Sequence, residues 1–265
     1  MTLPLSGAVL GVDVGASPTR RSSAVCLLSW DAHSVRWSIQ RFRATPEERA
    51  EVMGAVIGET PLLAAAFDGP FRGALDIIGF YRKAEWVLTR REFRLRIGKP
   101  GQSSAPIGKL LNEHTNYCVE AALPMVGRAQ HAGAIHRKAV VEAFPNSFLG
   151  LMLPDPEALA VKRADRSDGY FAHLAVDGTL DRLLNLLLPG RNAQSRPEAI
   201  TNHDDRAALI CALTALGVAA GQFVSVGDEE GRIVLPPAPM LAPWARQALF
   251  DTPDLAPYLL VEGGG

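Results

Sequence analysis

Asp13, Asp68, Glu142 and Asp204 are carboxylates set in or beside apolar stretches, and their types and settings suit metal chemistry. Asp13 lies in Gly-Ala-Val-Leu-Gly-Val-Asp-Val-Gly (7–15), and Asp68 in Ala-Phe-Asp-Gly-Pro (66–70). Glu142 lies in Lys-Ala-Val-Val-Glu-Ala-Phe (138–144), and Asp204 in His-Asp-Asp-Arg-Ala-Ala-Leu (203–209). A charge in a buried strand is costly unless it is paired or holds a metal. Carboxylates without His or Cys partners suit the hard cations Mg²⁺ and Mn²⁺. Two such ions about 4 Å apart can activate a water and stabilise the leaving oxygen of a phosphodiester. These four acids are therefore the candidate catalytic and metal-binding residues, with Asp205 as a secondary candidate. Plainer roles compete: Asp13 and Asp68 can serve turns, and Asp204 and Asp205 can answer a helix macrodipole.

The pattern along the chain predicts the elements that would hold these acids. Residues 7–15 read as a strand buried on both faces, at the centre of a layered sheet. Residues 22–30 and 35–42 read as the next two strands, with Val35, Trp37 and Ile39 alternating toward a core. Thr45-Pro46-Glu47-Glu48 starts a helix to about residue 57, with Thr45 as N-cap and Pro46 at its first position. Residues 61–67 form a fourth strand ending at Asp68, and 138–144 a fifth containing Glu142. Short helices are expected at 146–152 and 155–163, a longer one at 169–188, and an Ala-rich one from His203 to about residue 220. Residues 223–226 and 232–235 make a hairpin. A last helix covers 242–250, followed by a mobile tail.

Composition bounds the class. Of 265 residues, 48% are hydrophobic and 21% charged, which fits one globular α/β domain with a sizeable core. No apolar run reaches the roughly 18 residues of a membrane span, and no secretory signal is evident. Cys26, Cys118 and Cys211 are widely spaced and read as reduced thiols of a cytoplasmic protein. The net charge of −1 excludes an avid polyanion binder overall, but not locally. Residues 71–135 break the strand-helix rhythm and read as a mostly helical insertion. Within 82–99, seven basic residues stand against Glu85 and Glu92, a local charge of +5. Arg82, Arg90, Arg91 and Lys99 are the candidate phosphate contacts, and Tyr81, Trp86 and Phe93 are placed to stack on bases. The competing reading is a solvated helix face with its aromatics turned inward.

The chain resembles predicted nucleases of the ribonuclease-H fold, specifically the family called domain of unknown function 429. Gly-Val-Asp-Val-Gly (11–15), Ala-Phe-Asp-Gly-Pro (66–70), Val-Val-Glu-Ala-Phe-Pro (140–145), His-Asp-Asp-Arg-Ala-Ala-Leu-Ile-Cys-Ala-Leu-Thr-Ala (203–215) and Ile-Val-Leu-Pro-Pro (233–237) carry the resemblance, in the family's order. It implies a ribonuclease-H-like mixed five-stranded sheet, strands one to three antiparallel, with helices on both faces. It also implies a metal site at Asp13, Asp68 and the late helix, and hydrolysis of nucleic acid, DNA or RNA, by a two-metal mechanism. Relatives often carry Asp-x-x-Asp-Ala-Leu on that helix, and here Ala207 stands in place of the second acid. His203 would bind substrate, orienting water or relaying a proton.

Two other readings remain open. Gly-Val-Asp-Val-Gly-Ala-Ser (11–17) also resembles the first phosphate loop of actin-like small-molecule kinases. A catalytically inactive nucleic-acid-binding module of the same fold is the other.

Overall fold

Strand β1 (Gly7–Asp13) is made of Val, Leu and small residues, and it is buried along its length except at its ends. Such a strand needs neighbours on both edges and cover on both faces. The computed structural model, which describes residues 3–134, 136–159 and 166–263, supplies all four. Strands β2 (Ser23–Trp30) and β3 (Ser34–Phe42) run antiparallel on one side of β1. Strands β4 (Ala65–Asp68) and β5 (Val140–Ala143) run parallel to it on the other. Beyond these lie β6 (Asn192–Ala193), the hairpin of β7 (Phe223–Asp228) and β8 (Gly231–Leu235), and β9 (Leu259–Glu262). The protein is mixed α/β, with one sheet in the order β6-β3-β2-β1-β4-β5-β8-β7-β9.

Among the described residues the sheet therefore has nine strands, not five. The five expected strands form the contiguous block β3-β2-β1-β4-β5. The parallel edge of β5 is continued by β8, and the edge of β7 is closed by β9. The expected mobile tail is thus partly a strand, because an uncovered β7 would expose unpaired backbone groups.

Helices α1 (Pro46–Ile57) and α4 (Pro106–Ala122) cover one face, contacting β2, β3 and β4. Thr45 caps α1 as expected, accepting from the Glu48 N–H at 3.3 Å. Helix α4 lies between the parallel neighbours β4 and β5 in sequence and packs against β4 and α1. It is the crossover that parallel pairing requires. Helices α2 (Lys83–Thr89) and α3 (Arg91–Ile97) instead join a second apolar cluster over β7 and β8. Segment 71–135 thus contains one helix integral to the main core and two that cover the hairpin.

Helix α8 (His203–Ala220) covers the opposite face from α1 and α4. Thirteen of its residues are buried, so its apolar character runs around the whole cylinder. It can lie close because β1 carries Gly11. A Cβ there would sit 2.1 Å from the Ala212 nitrogen and 2.3 Å from the Ala208 oxygen. Helices α5 (Pro145–Gly150), α6 (Arg166–Val176) and α7 (Thr179–Leu187) flank it. One helix was expected at 169–188. The chain breaks at Gly178, which adopts the left-handed conformation (φ 76°) that glycine favours. Residues 156–159 form a turn, and residues 160–163 of the expected 155–163 helix lie outside the described residues. Helix α9 (Pro243–Phe250) packs on α3. All three cysteines are free and buried, and no helix among the described residues is long and apolar enough to cross a membrane.

A candidate carboxylate site at the strand ends

Asp13 and Asp68 end β1 and β4 and are direct partners in their parallel register. Parallel partners point to the same face and their strands lie about 4.8 Å apart. Gly11, two residues before Asp13, faces α8, so both carboxylates face α8 as well. On α8, residues three or four apart share a face. Ala208 and Ala212 meet Gly11, and the buried Cys211 thiol lies within reach of the charges of Asp68 and Asp13. Asp204 belongs to this stripe, one turn before Ala208. A turn of helix rises about 5.4 Å, and Asp13 lies about 7 Å beyond Gly11 along its strand. The start of the helix thus sits over the strand end. Asn202 fixes that start, its side-chain oxygen accepting from the N–H groups of Asp204 (3.0 Å) and Asp205 (3.3 Å).

The electrostatics follow from this crowding. Burial, then the charges of Asp68, Asp204 and Asp205, hold the Asp13 carboxyl well above the usual range. Burial, then Glu142, pushes Asp68 up to about 7. Among the described residues no basic side chain offsets either of them. Cys211, enclosed below the two acids, is raised by burial and by their charges, so it stays a thiol. A carboxyl pair that resists ionisation beside its own kind is a common feature of functional sites.

Glu142 does not join this pair. It is the register partner of Phe67, not Asp68, so its side chain leaves the other face of the sheet. There both of its oxygens accept from Arg82, at 2.7 and 2.9 Å. Arg82 also gives its Nε–H to Glu85 at 2.8 Å, and the second Glu85 oxygen accepts from the Ser103 N–H at 3.2 Å. All three charged residues are buried. Glu142 is thereby corrected from metal ligand to ion-pair partner. Arg82 is corrected from phosphate contact to buried counter-ion, because its guanidinium is enclosed and engaged on two carboxylates. A cavity of about 150 Å³ lies between this cluster and Asp68, walled by Gln102, Ser103, Leu111 and Phe144.

The other expected residues separate. Asp205 points toward β3, 3.5 Å from Arg41 Nε. His203 is exposed and turns to α6, its Nδ1 3.1 Å from Asp168. Arg206 donates to the other Asp168 oxygen at 3.0 Å. Asp168 reads from the sequence only as a helix-start residue, and nothing local marks it as the partner of residues 35 and 38 positions away. Arg91 and Lys99 are exposed, and the Arg90 guanidinium lies over the Trp86 ring at 5.4 Å. The aromatics expected to stack on bases are used internally. Phe93 is fully buried, Trp86 packs edge-on against Tyr258, and Tyr81 bonds Thr89 at 2.7 Å. The inward-turned reading of that segment holds for Phe93 and Trp86.

Two tests of fit bear on a cation and on phosphate. Among the described residues, no three His, Cys, Asp or Glu side chains stand close enough together to hold one ion unaided. Mg²⁺, however, commonly binds through one or two carboxylates and keeps several waters, and the Asp13–Asp68 pair meets that requirement. At the β1–β2 turn, the Gly15 N–H already donates to Ser23 Oγ at 3.0 Å, so it is not free to cradle a phosphate. Comparison with protein-family models, with curated proteins and with solved structures gives no significant match for this chain.

Proposed function

We propose that this protein is a Mg²⁺- or Mn²⁺-dependent nuclease of the ribonuclease-H type, hydrolysing phosphodiester bonds of DNA or RNA. The observation that carries the reading is the register pairing of Asp13 with Asp68, two same-face carboxylates without a basic partner. The strand order β3-β2-β1-β4-β5, antiparallel then parallel, supports the fold named by the resemblance. The site also lies at the carboxyl ends of parallel strands, where ligands of α/β sheets gather.

Asp13 and Asp68 would hold the cation directly, and Asp204 would complete its shell from α8, accepting hydrogen bonds from its waters. Such an ion, when bound, supplies an activated water and neutralises charge on the phosphate. The enclosed floor under the acids, made by Gly11, Ala208 and Cys211, limits water to the open side. The Arg82–Glu142 pair holds a fourth acid on the other face of the sheet, from which its charge still acts on Asp68.

The test is Asp13→Asn against the parent. Calorimetric Mn²⁺ binding and cleavage of DNA and RNA panels should both be lost, with the fold intact by circular dichroism. Cleavage that survives Asp13→Asn would overturn the reading. Metal binding in the parent without any cleavage would favour the inactive binding module.

A further inference from the structure

The segment expected to carry phosphate contacts does not supply them through Arg82, yet a different set of arginines stands at the acid site's own edge. Asp13 pairs with Ala24, and Ala24 pairs with Arg41. Register partners share a face, so Arg41 lies on the face and edge of Asp13, two strand spacings or roughly 10 Å away. Its side chain is 44% exposed, and its only ion-pair contact among the described residues is the 3.5 Å approach of Nε to Asp205. The β1–β2 turn is fastened alongside. The Ala44 N–H donates to the Ser17 carbonyl at 2.9 Å and Arg43 Nε to the Thr19 carbonyl at 3.3 Å. This turn presents Arg20, whose backbone N–H is held by Ser17 Oγ and whose side chain contacts no carboxylate among the described residues. Glu48 holds Arg21 Nε at 2.7 Å and Arg43 at 3.2 Å. Arg21 and Arg43 thus share Glu48, whereas Arg20 and Arg41 between them meet only Asp205, a local excess of one positive charge. Glu47 and Glu51 lie in the recess behind Arg21 and Arg43, so those two are the more neutralised. Arg20 and Arg41 are the ones left to bind.

We propose that this strip, led by Arg41 and Arg20, binds the phosphates flanking the scissile one. The partner is a nucleic-acid backbone that leaves the acid pair across β2 toward β3. The proposal rests on the nuclease reading and adds the path of the substrate. The planar fork of a guanidinium suits phosphate oxygens, and each phosphate neutralised releases counterions. Spacing favours it too: the strip continues the line of Asp68 and Asp13 along one sheet edge.

The test is anisotropy of fluorescein-labelled single-stranded DNA and RNA oligonucleotides over a salt series, in chelator to prevent cleavage. Arg41→Ala and Arg20→Ala should each weaken binding about three- to tenfold at low salt and reduce the salt slope by about one. Arg36→Ala is the control, on the same strand but the opposite face and roughly 17 Å away. Equal binding by parent, Arg41→Ala and Arg20→Ala overturns the proposal. So does a loss confined to Arg91→Ala, or a parent that binds neither oligonucleotide at low salt. The two readings fail separately. Metal-dependent cleavage with unaffected arginine variants sinks the strip and spares the nuclease. Salt-sensitive binding through Arg41 without any cleavage does the reverse.

Discussion

Two groups of acids sit one register step apart across the same sheet and have opposite fates. Asp13 and Asp68 face α8, and among the described residues the charges acting on them are all acidic. Glu142, in the strand beside Asp68, faces the other way and is held by both ends of a guanidinium. All three are raised by burial first, but for Glu142 the next causes are the charge and hydrogen bonds of Arg82, which pull downward. For Asp13 every cause pushes upward. A buried carboxylate with a counter-ion is a structural part. One without is stabilised only by a proton or by a cation from solution. The pleat of the strand decides which, because a shift of one residue changes the face.

The largest effect should come from breaking the paired cluster. Arg82→Met removes the cation and leaves Glu85 and Glu142 buried without one. Removing one partner of a buried ion pair costs about 3–5 kcal/mol, so the denaturant midpoint should fall sharply. Asp13→Asn, in the other group, should leave stability equal or higher at pH 8. If Arg82→Met is as stable as the parent, the cluster is not the structural element the contrast requires.

A smaller effect should come from metal and from pH. A ligand that binds only the folded state adds about 2.7 kcal/mol at a hundred times its Kd. Mg²⁺ or Mn²⁺ should therefore raise the melting temperature of the parent at pH 8, and chelation should lower it, with Asp13→Asn unresponsive. The acids set the pH dependence. Asp68 titrates at about 7 when folded and at about 3.9 when unfolded. Between those values the native state holds more protons, so metal-free stability should fall as pH rises through that window. Asp68→Asn should reduce the fall, Asp13 still contributing to it, and gain about 1–2 kcal/mol at pH 8, with no gain near pH 4. One pKa unit is worth about 1.4 kcal/mol, and the neighbours relax once a charge is gone. A parent whose metal-free stability is flat from pH 4 to 8 would contradict the crowding of these acids.

Much of this contrast was legible in the sequence, and the illegible part has a common physical form. The apolar run around Asp13, the Thr45 cap and the α8 start are local patterns, and they appear where expected. The identity of the central pair was legible because a carboxylate inside a buried strand is anomalous wherever it occurs. The partnering of Glu142 was not, since Arg82 is 60 residues away and looks like one member of a basic helix. Arg41 was hidden in the same way. In sequence it is the next alternate position after Val35, Trp37 and Ile39, at the end of the strand, and only the register with β2 and β1 brings it into line with Asp13. The role of α4 as a crossover required knowing that β4 and β5 are neighbours, and β9 is too short to announce itself.

The smallest effect should come from Asp205, and it sharpens the contrast because this acid belongs to neither group fully. It sits beside Asp204 on α8, but one residue along a helix turns the side chain by about 100°. It therefore looks toward Arg41 across the sheet rather than down on the strand ends. Burial raises its carboxyl first, with Arg41 pulling it down and Asp204 pushing it up. It is also the last and weakest of the charges acting on Asp13. Asp205→Asn should thus change stability by no more than about 0.5 kcal/mol, since half-exposed pairs contribute little. Mn²⁺ binding should be nearly unchanged, whereas Asp204→Asn should weaken it. Nucleic-acid binding should tighten slightly and become more salt-dependent, because Arg41 loses the one carboxylate that competes with phosphate for it. An Asp205→Asn protein that loses metal binding as fully as Asp204→Asn would place both acids of the helix start in the site. The division between paired and unpaired carboxylates would then have to be redrawn at α8.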